Sequence, residues 1–420
     1  MSARTPRQTK TLPIGLALAV LLGFIVCLLG SSLKNTVQVF FEPMAHSFGQ
    51  DRGSFALATT VFALTYAVAA PLTGMLADRI GPARVLLAGT VLAGVSMLGG
   101  AQMSSFPLFV LTYGILASCA YTMLSYVPIG VLVDRLFSDG RKGFFYALLT
   151  NGTAGGFILL VPLWTWLGQH TSWQRVLTGL GIFLLVVIAP LTALLQRQSP
   201  ARTAAGEKVA ESSLRSRWGL VLHSAVLWRL AGAFFACGAS MAFIDVHQIT
   251  YLSDHHISSG VTSASLVLLG ACEIVGSLVA GQLCDKGLVK RVLMSGYLLR
   301  GASMFVIAID PTPVLVLVFG IMFGASYLVT VVATSVWVMR VFPMEIKGVA
   351  MGLIWTAHQI GAALSSQLGG IIYDLMHSYV PLMVATGCMG LVAAFVVAAT
   401  PFSPQPPASR QSSDPMGATT

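Results

Sequence analysis

The sequence predicts an all-α membrane protein, with twelve transmembrane helices in two pseudo-symmetric six-helix bundles and both termini cytoplasmic. Three observations predict it: a composition too apolar for one soluble core, apolar stretches of spanning length along nearly the whole chain, and a loop pattern that recurs half a chain later. Of 420 residues, 55% are hydrophobic and 9% charged, with a mean hydropathy of +0.81. Water-facing surface needs far more charge than that, so the excess must face lipid.

Crossing roughly 30 Å of hydrocarbon takes about 20 residues of helix. Stretches of that kind fall at 13–41, 54–77, 83–101, 106–133, 143–167, 173–196, 226–252, 260–284, 289–309, 312–339, 346–373 and 378–400. Helix is the form that satisfies the backbone of such segments within lipid. The basic start, residues 1–12, leads into an apolar stretch longer than a signal-peptide core, and eleven more follow, so it reads as an uncleaved cytoplasmic tail. Residues 13–196 then form an N-terminal bundle and 226–400 a C-terminal one. Between them 197–225, rich in Arg, Ser and Ala, reads as a cytoplasmic linker. The Pro-, Ser- and Gln-rich stretch 401–420 reads as a disordered cytoplasmic tail.

The net charge of +9 is topological and does not point to nucleic acid. With the N-terminus inside, Arg4, Arg7, Lys10, Arg79, Arg84, Arg135, Arg141, Lys142, the Arg197 to Arg217 cluster, Lys286, Lys290, Arg291, Arg340 and Lys347 share one side, while Arg52 and Arg175 fall opposite. The positive-inside rule predicts that asymmetry. Cys27, Cys119, Cys237, Cys272, Cys284 and Cys388 all fall within predicted spans without ligand spacing, so neither a disulfide framework, a metal nor a cofactor is expected.

The loop pattern is Gly74-Met-Leu-Ala-Asp78-Arg79-Ile-Gly81 after span two, and Gly281-Gln-Leu-Cys-Asp285-Lys286 after span eight, at an identical offset of about half the chain. The glycine permits close helix approach, the aspartate can take the N-terminus of a neighbouring helix, and the basic residues anchor the turn. These residues are conformational parts, with bracing as the simplest role. The pattern resembles the loop signature of the major facilitator superfamily, with a likeness in helix number and half-length across residues 12 to 400. That resemblance implies six-plus-six helices, a midplane site between the halves and rocking alternating access.

A charge at membrane depth costs at least about 2.5 kcal/mol, so each one marks a candidate functional position. Lys34, Asp245, Glu273 and Arg300 are such charges, joined by His247 and His358. Lys34, beside Asn35, and Asp245 lie at similar depth in spans one and seven. They are expected either to pair as an outer gate or to snorkel separately to the interface. Glu273 and Arg300, on helices joined by a short turn, are expected to pair with each other, with a substrate role for Arg300 and proton carriage by Glu273 as alternatives. In span eleven Trp355, His358 and Ser365 share a helical face and predict a polar wall of the pathway. Tyr126 and Tyr327 add phenols near mid-depth, where aromatic packing is the plainer reading.

Gly324-Ala-Ser-Tyr327, Gly352-Leu-Ile-Trp355-Thr-Ala-His358 and the stretch from Tyr126 to Gly143 resemble the matching helices of oxalate:formate antiporters and monocarboxylate porters. Lys34 resembles the span-one lysine or arginine of that group. In the antiporters a carboxylate-binding lysine matches His358, and tyrosines match Tyr126 and Tyr327. The chain departs at Ser277, where those relatives carry an arginine, and Ala242-Phe-Ile-Asp245-Val-His247 with Glu273 and Arg300 looks like a bacterial side branch.

The expectation is thus a secondary transporter in the bacterial inner membrane, working as a monomer on a small organic anion, a mono- or dicarboxylate, with proton symport. Lys34, Asn35, Tyr126, Arg300, Tyr327, Trp355 and His358 are the candidate substrate residues. Asp245, His247 and Glu273 are candidates for proton coupling or gating. Proton-coupled efflux of drugs or metabolites, with Glu273 and Asp245 as binding charges, is the rival within transport. A transporter-like membrane sensor is the rival from another class. An enzyme is not expected, since the sequence carries no HExxH, GxSxG or Walker-type pattern.

Overall fold

In the computed structural model residues 14–137, 140–198 and 214–403 are described. The tail 1–12, most of the basic cluster from Arg197 to Arg217 and the end of the chain from 404 lie outside them. The long helices, in order, are α1 (Ile14–Val39), α2 (Arg52–Ile80), α3 (Pro82–Gln102), α4 (Phe106–Leu136), α5 (Lys142–His170) and α6 (Trp173–Gln196). After the linker come α7 (Ala225–Asp254), α8 (Ser259–Leu283), α9 (Val289–Ile309), α10 (Pro313–Val341), α11 (Lys347–Met376) and α12 (Val380–Ala399). No strand occurs among the described residues.

Local chemistry sets the helix boundaries. Asp51 caps α2 by accepting the Ser54 backbone N–H at 2.6 Å. Gly81, at φ 96°, turns the chain from α2 into α3, and Pro82 opens the next helix where its missing N–H costs nothing. Gly287, at φ 88°, turns α8 into α9.

Among the described residues, ten helical stretches are long and apolar enough to cross a membrane. One of them, Ser259–Ile309, holds 51 residues, about 75 Å of helix at about 1.5 Å per residue, and contains the Gly287 turn. The ten do not include α11, whose middle carries Thr356, His358, Gln359, Ser365, Ser366 and Gln367. Large apolar side chains such as Val68, Leu159, Val186, Val267 and Phe395 stand exposed on outer faces, the pattern of a protein solvated by hydrocarbon.

Between the halves, α2 runs against α11 and α5 against α8. Interchanging the halves maps one contact onto the other, which is the repeat seen as architecture. Both contacts close on paired glycines. A Cβ on Gly74 would overlap the Gly348 backbone, and one on Gly281 would overlap the backbone of Gly143.

Candidate functional site

At the end of the bundle carrying the repeated loops, each loop aspartate crosses to the other half. Asp78 accepts the backbone N–H of Gly348 at 2.9 and 3.0 Å and that of Val349 at 3.2 Å. Asp285 accepts those of Gly143 at 2.8 Å and Phe144 at 2.9 Å. Gly348 and Gly143 each open a helix, so both carboxylates sit on the positive ends of α11 and α5. Around them, Arg135 donates to the carbonyls of Ala77 and Asp78 at 3.2 Å each, and Arg340 lies 3.6 Å from Asp285. Asp134, with its side chain 3% exposed, bonds Lys142 of its own half at 2.8 Å and Lys347 of the other at 2.7 Å. Arg79 and Lys286 lie at the turns between these helices.

Toward the opposite end, Lys34 on α1 and Asp245 on α7 approach to 4.0 Å, with side chains 38% and 45% exposed. Of the two expected arrangements, pairing across the halves and separate snorkelling, the side chains adopt the first. Asp245 lies in a π-helical turn, Phe243–His247, an irregularity that re-aims side chains and recurs at functional sites. Asn35 is fully buried, with its amide donating to Ser31 at 3.4 Å and its Oδ1 unpartnered.

The expected Glu273–Arg300 pair does not form. Among the described residues no ion pair within 4.0 Å joins Glu273 to any basic side chain. Arg300, 1% exposed, spends its guanidinium on neutral groups: the carbonyls of Ser326 and Tyr327 at 2.7 Å each, Cys237 Sγ at 2.9 Å, and the Cys237 carbonyl and Ser326 Oγ at 3.5 Å. The rings of Phe323 and Tyr327 lie 5.1 and 5.8 Å from it. The physical reason is geometric: the carbonyls of α10 and the sulfur of α7 converge on the guanidinium and fill its donor fork. Arg300 therefore ties α9 to α7 and α10.

The polar stripe of α11 is likewise buried rather than open. Trp355, His358 and Ser365 are each 5% exposed. His358 lies with Nδ1 3.1 Å from Gln359 Oε1 and Nε2 3.2 Å from Met241 Sδ, and its ring packs 4.9 Å from both Phe234 and Trp355. Ser365 Oγ has no partner. His247, two residues from Asp245, has Nε2 3.0 Å from the Ser366 carbonyl and ties α7 to α11.

Tyr126 of one half stacks on Trp355 of the other, with centroids 4.4 Å apart and planes 11° from parallel. Phe234 meets the indole edge-on at 5.2 Å, and Tyr66 lies 6.4 Å away. Tyr327 lies against Arg300, its ring 5.8 Å from the guanidinium, and 5.9 Å from the ring of Phe323. Of the predicted residues, Tyr126 and Trp355 are thus brought together across the halves, and Tyr327 and Arg300 within one half.

Sequence reasoning missed several polar contacts. Those of Asp134 are among them: its partners Lys142 and Lys347 lie on other helices, one of them 213 residues away, so no local spacing marks it. Ser277 donates to Asn151 Oδ1 across the halves at 3.1 Å, and Ser335 donates to the Tyr146 hydroxyl at 2.9 Å. A single hydroxyl among many in a membrane protein gives no sequence signal.

Paired helical halves packed on glycine contacts, with charges bridging them, are the architecture of a class of membrane carrier. The Major Facilitator Superfamily model matches residues 20–366 and 246–419, and the chain belongs to that family of multi-pass membrane transporters rather than to the enzymes. It is 28% identical over 391 residues to the uncharacterized MFS-type transporter YcxA of Bacillus subtilis, covering 91% of this chain and 94% of that one. It is 23% identical over 388 residues to monocarboxylate transporter 12 of Mus musculus, covering 85% and 79%. The fold matches the proton:xylose symporter XylE at a TM-score of 0.75 and 13% identity, over 91% of this chain and 95% of that one.

Proposed function

We propose that this protein is a secondary active transporter that carries a small organic anion, a mono- or dicarboxylate, across the bacterial inner membrane by alternating access in symport with protons. The observation that carries the reading is the Lys34–Asp245 contact: a cation and its counter-ion on opposite halves, 4.0 Å apart and partly exposed, which a carboxylate can divide by competing for the ammonium. The monocarboxylate transporter among the relatives supports the substrate class.

In this reading Lys34 receives the carboxylate, and Tyr126, Tyr327, Trp355 and His358 shape the space beside it. Arg300 and Asn35 position helices. Glu273 exchanges the coupled proton, since it is the mid-depth acid that no ion pair within 4.0 Å joins to a basic side chain among the described residues. Twelve crossings follow if Ser259–Ile309 counts as two spans, being more than twice the roughly 30 Å hydrocarbon thickness, and if α11, at 30 residues, spans as well. Both termini then lie in the cytoplasm with the basic loops, and each half completes the other within a monomer.

Uptake into proteoliposomes tests this. A pH gradient should drive accumulation of labelled carboxylate, and Lys34→Gln should reduce it at least tenfold. Gradient-driven carboxylate uptake that survives neutral replacement of both Lys34 and His358 would sink the reading. Extrusion of apolar cations dependent on Glu273 and Asp245 would favour efflux instead.

A further inference from the structure

We infer that the preferred substrate is an aryl-substituted monocarboxylate, such as an arylacetate, with its carboxylate on Lys34 and its ring on the indole face of Trp355. This rests on the organic-anion reading above and narrows it by two independent observations, one of charge and one of shape.

The charge observation concerns which cations a solute can reach. Arg300 is 1% exposed and saturated by carbonyls, hydroxyl and sulfur. His358 has both ring nitrogens engaged, and His247 is held against the Ser366 carbonyl. Lys34 stands apart, 38% exposed and touching its counter-ion at the outer limit of an ion pair. One reachable ammonium matches one carboxylate. A second carboxylate would meet Glu273 and Asp245 without a cation to pair it, and an unpaired charge in a low-dielectric interior is expensive.

The shape observation is the Tyr126–Trp355 stack. It joins the halves at 4.4 Å, so the halves cannot part there for a solute without giving it up. The indole stays clamped edge-on by Phe234 on its own half and presents the face that Tyr126 leaves. A planar ring can take that place and restore the stacking, whereas a saturated ring or small aliphatic acid forfeits it. Asp245 stands four residues beyond Met241 on α7, and the Met241 sulfur lies 3.2 Å from His358 Nε2, whose ring packs 4.9 Å from Trp355. The acid of the Lys34 pair and the indole are thus joined through one turn of α7 and one of α11.

Matched acids separate the two components. Phenylacetate and cyclohexylacetate share charge and size, and 4-carboxyphenylacetate adds one charge to the same ring. Dissociation constants for the purified full chain in nanodiscs should favour phenylacetate over cyclohexylacetate by about three- to tenfold, and over 4-carboxyphenylacetate by at least tenfold. Trp355→Leu should collapse the first ratio toward one, and Trp355→Phe should keep most of it. The wild-type ratios stand even if the leucine variant fails to fold. Equal binding of phenylacetate and cyclohexylacetate, or tighter binding of the dianion, overturns this inference while Lys34-dependent binding of aliphatic acids leaves the organic-anion reading intact. Absence of Lys34-dependent binding for every acid sinks both.

Discussion

At the end carrying the repeated loops, two aspartates cap helices of the opposite half, glycine backbones touch, and Asp134 is gripped by lysines from both halves. Across the bundle, near Lys34, one ion pair at 4.0 Å joins the halves with both side chains partly in solvent. The first end is held by short, charge-assisted bonds in a nearly dry setting, where each is strong and costly to break. The second is held by a contact that water already competes for, and an exposed pair is worth about 0–1 kcal/mol. An alternating device needs that inequality in any one state, because the weak end is where a small ligand can tip the balance.

The largest effect should come from Asp134→Ala, which leaves Lys142 and Lys347 without their shared carboxylate. Removing one partner of a buried pair costs about 3–5 kcal/mol, with both lysines 10–13% exposed in their side chains, so the lower part of that range applies. Thermal unfolding in detergent reads it. Lys347→Ala added to Asp134→Ala should recover part of the loss, and an additive double variant would show that the two residues are not coupled.

Next come the glycine contacts. Gly348→Ala and Gly143→Ala should each cost about 1–3 kcal/mol by forcing a methyl into the facing backbone. Their equality is the sharper expectation, because the two positions are related by the internal repeat. Cysteine-labelling of the loops at this end should rise in both variants alike. A severe effect at one and none at the other would break the equivalence of the α2–α11 and α5–α8 contacts.

Much of this end was legible in sequence because the repeat supplied its own control: two copies of Gly-x-x-x-Asp at the same offset pointed to helix approach and capping, and Gly74 and Gly281 do the first while Asp78 and Asp285 do the second. The matched height of Lys34 and Asp245 was readable, since a helix position fixes height within about one turn, but whether they pair or snorkel separately was not. Depth does not fix azimuth or partner, which is why Glu273 and Arg300, close in height, proved unpaired while Arg300 found the α10 carbonyls. The Trp355 and His358 face was read correctly as shared, but its burial depends on Phe234 and Met241 of α7, which no periodicity in α11 reveals. Cross-half hydroxyl contacts such as Ser277 to Asn151 carry no spacing signature at all.

Lys34→Gln should change thermal stability by less than about 1 kcal/mol while removing carboxylate binding, and added salt should weaken the wild-type pair toward the variant. A charge exchange, Lys34→Asp with Asp245→Lys, should restore the wild-type stability lost in either single variant. A Lys34→Gln loss as large as that of Asp134→Ala would erase the contrast between the two ends.

The smallest effect lies outside both. Asp51 caps α2 in an exposed position, and the Ser54 backbone N–H holds its carboxyl below the ordinary value of 3.8. A lowered carboxyl contributes stability that is present above its unfolded value and lost as pH falls through the folded one. Asp51→Ala should therefore lower the melting temperature slightly near neutral pH, and the two melting curves should converge well below pH 3.8. Because the cap touches neither the loop aspartates nor Lys34, carboxylate binding in Asp51→Ala should match wild type. A binding change there would mean that the α2 entry is coupled to the weak end of the bundle, and the contrast between the two ends would have to include it.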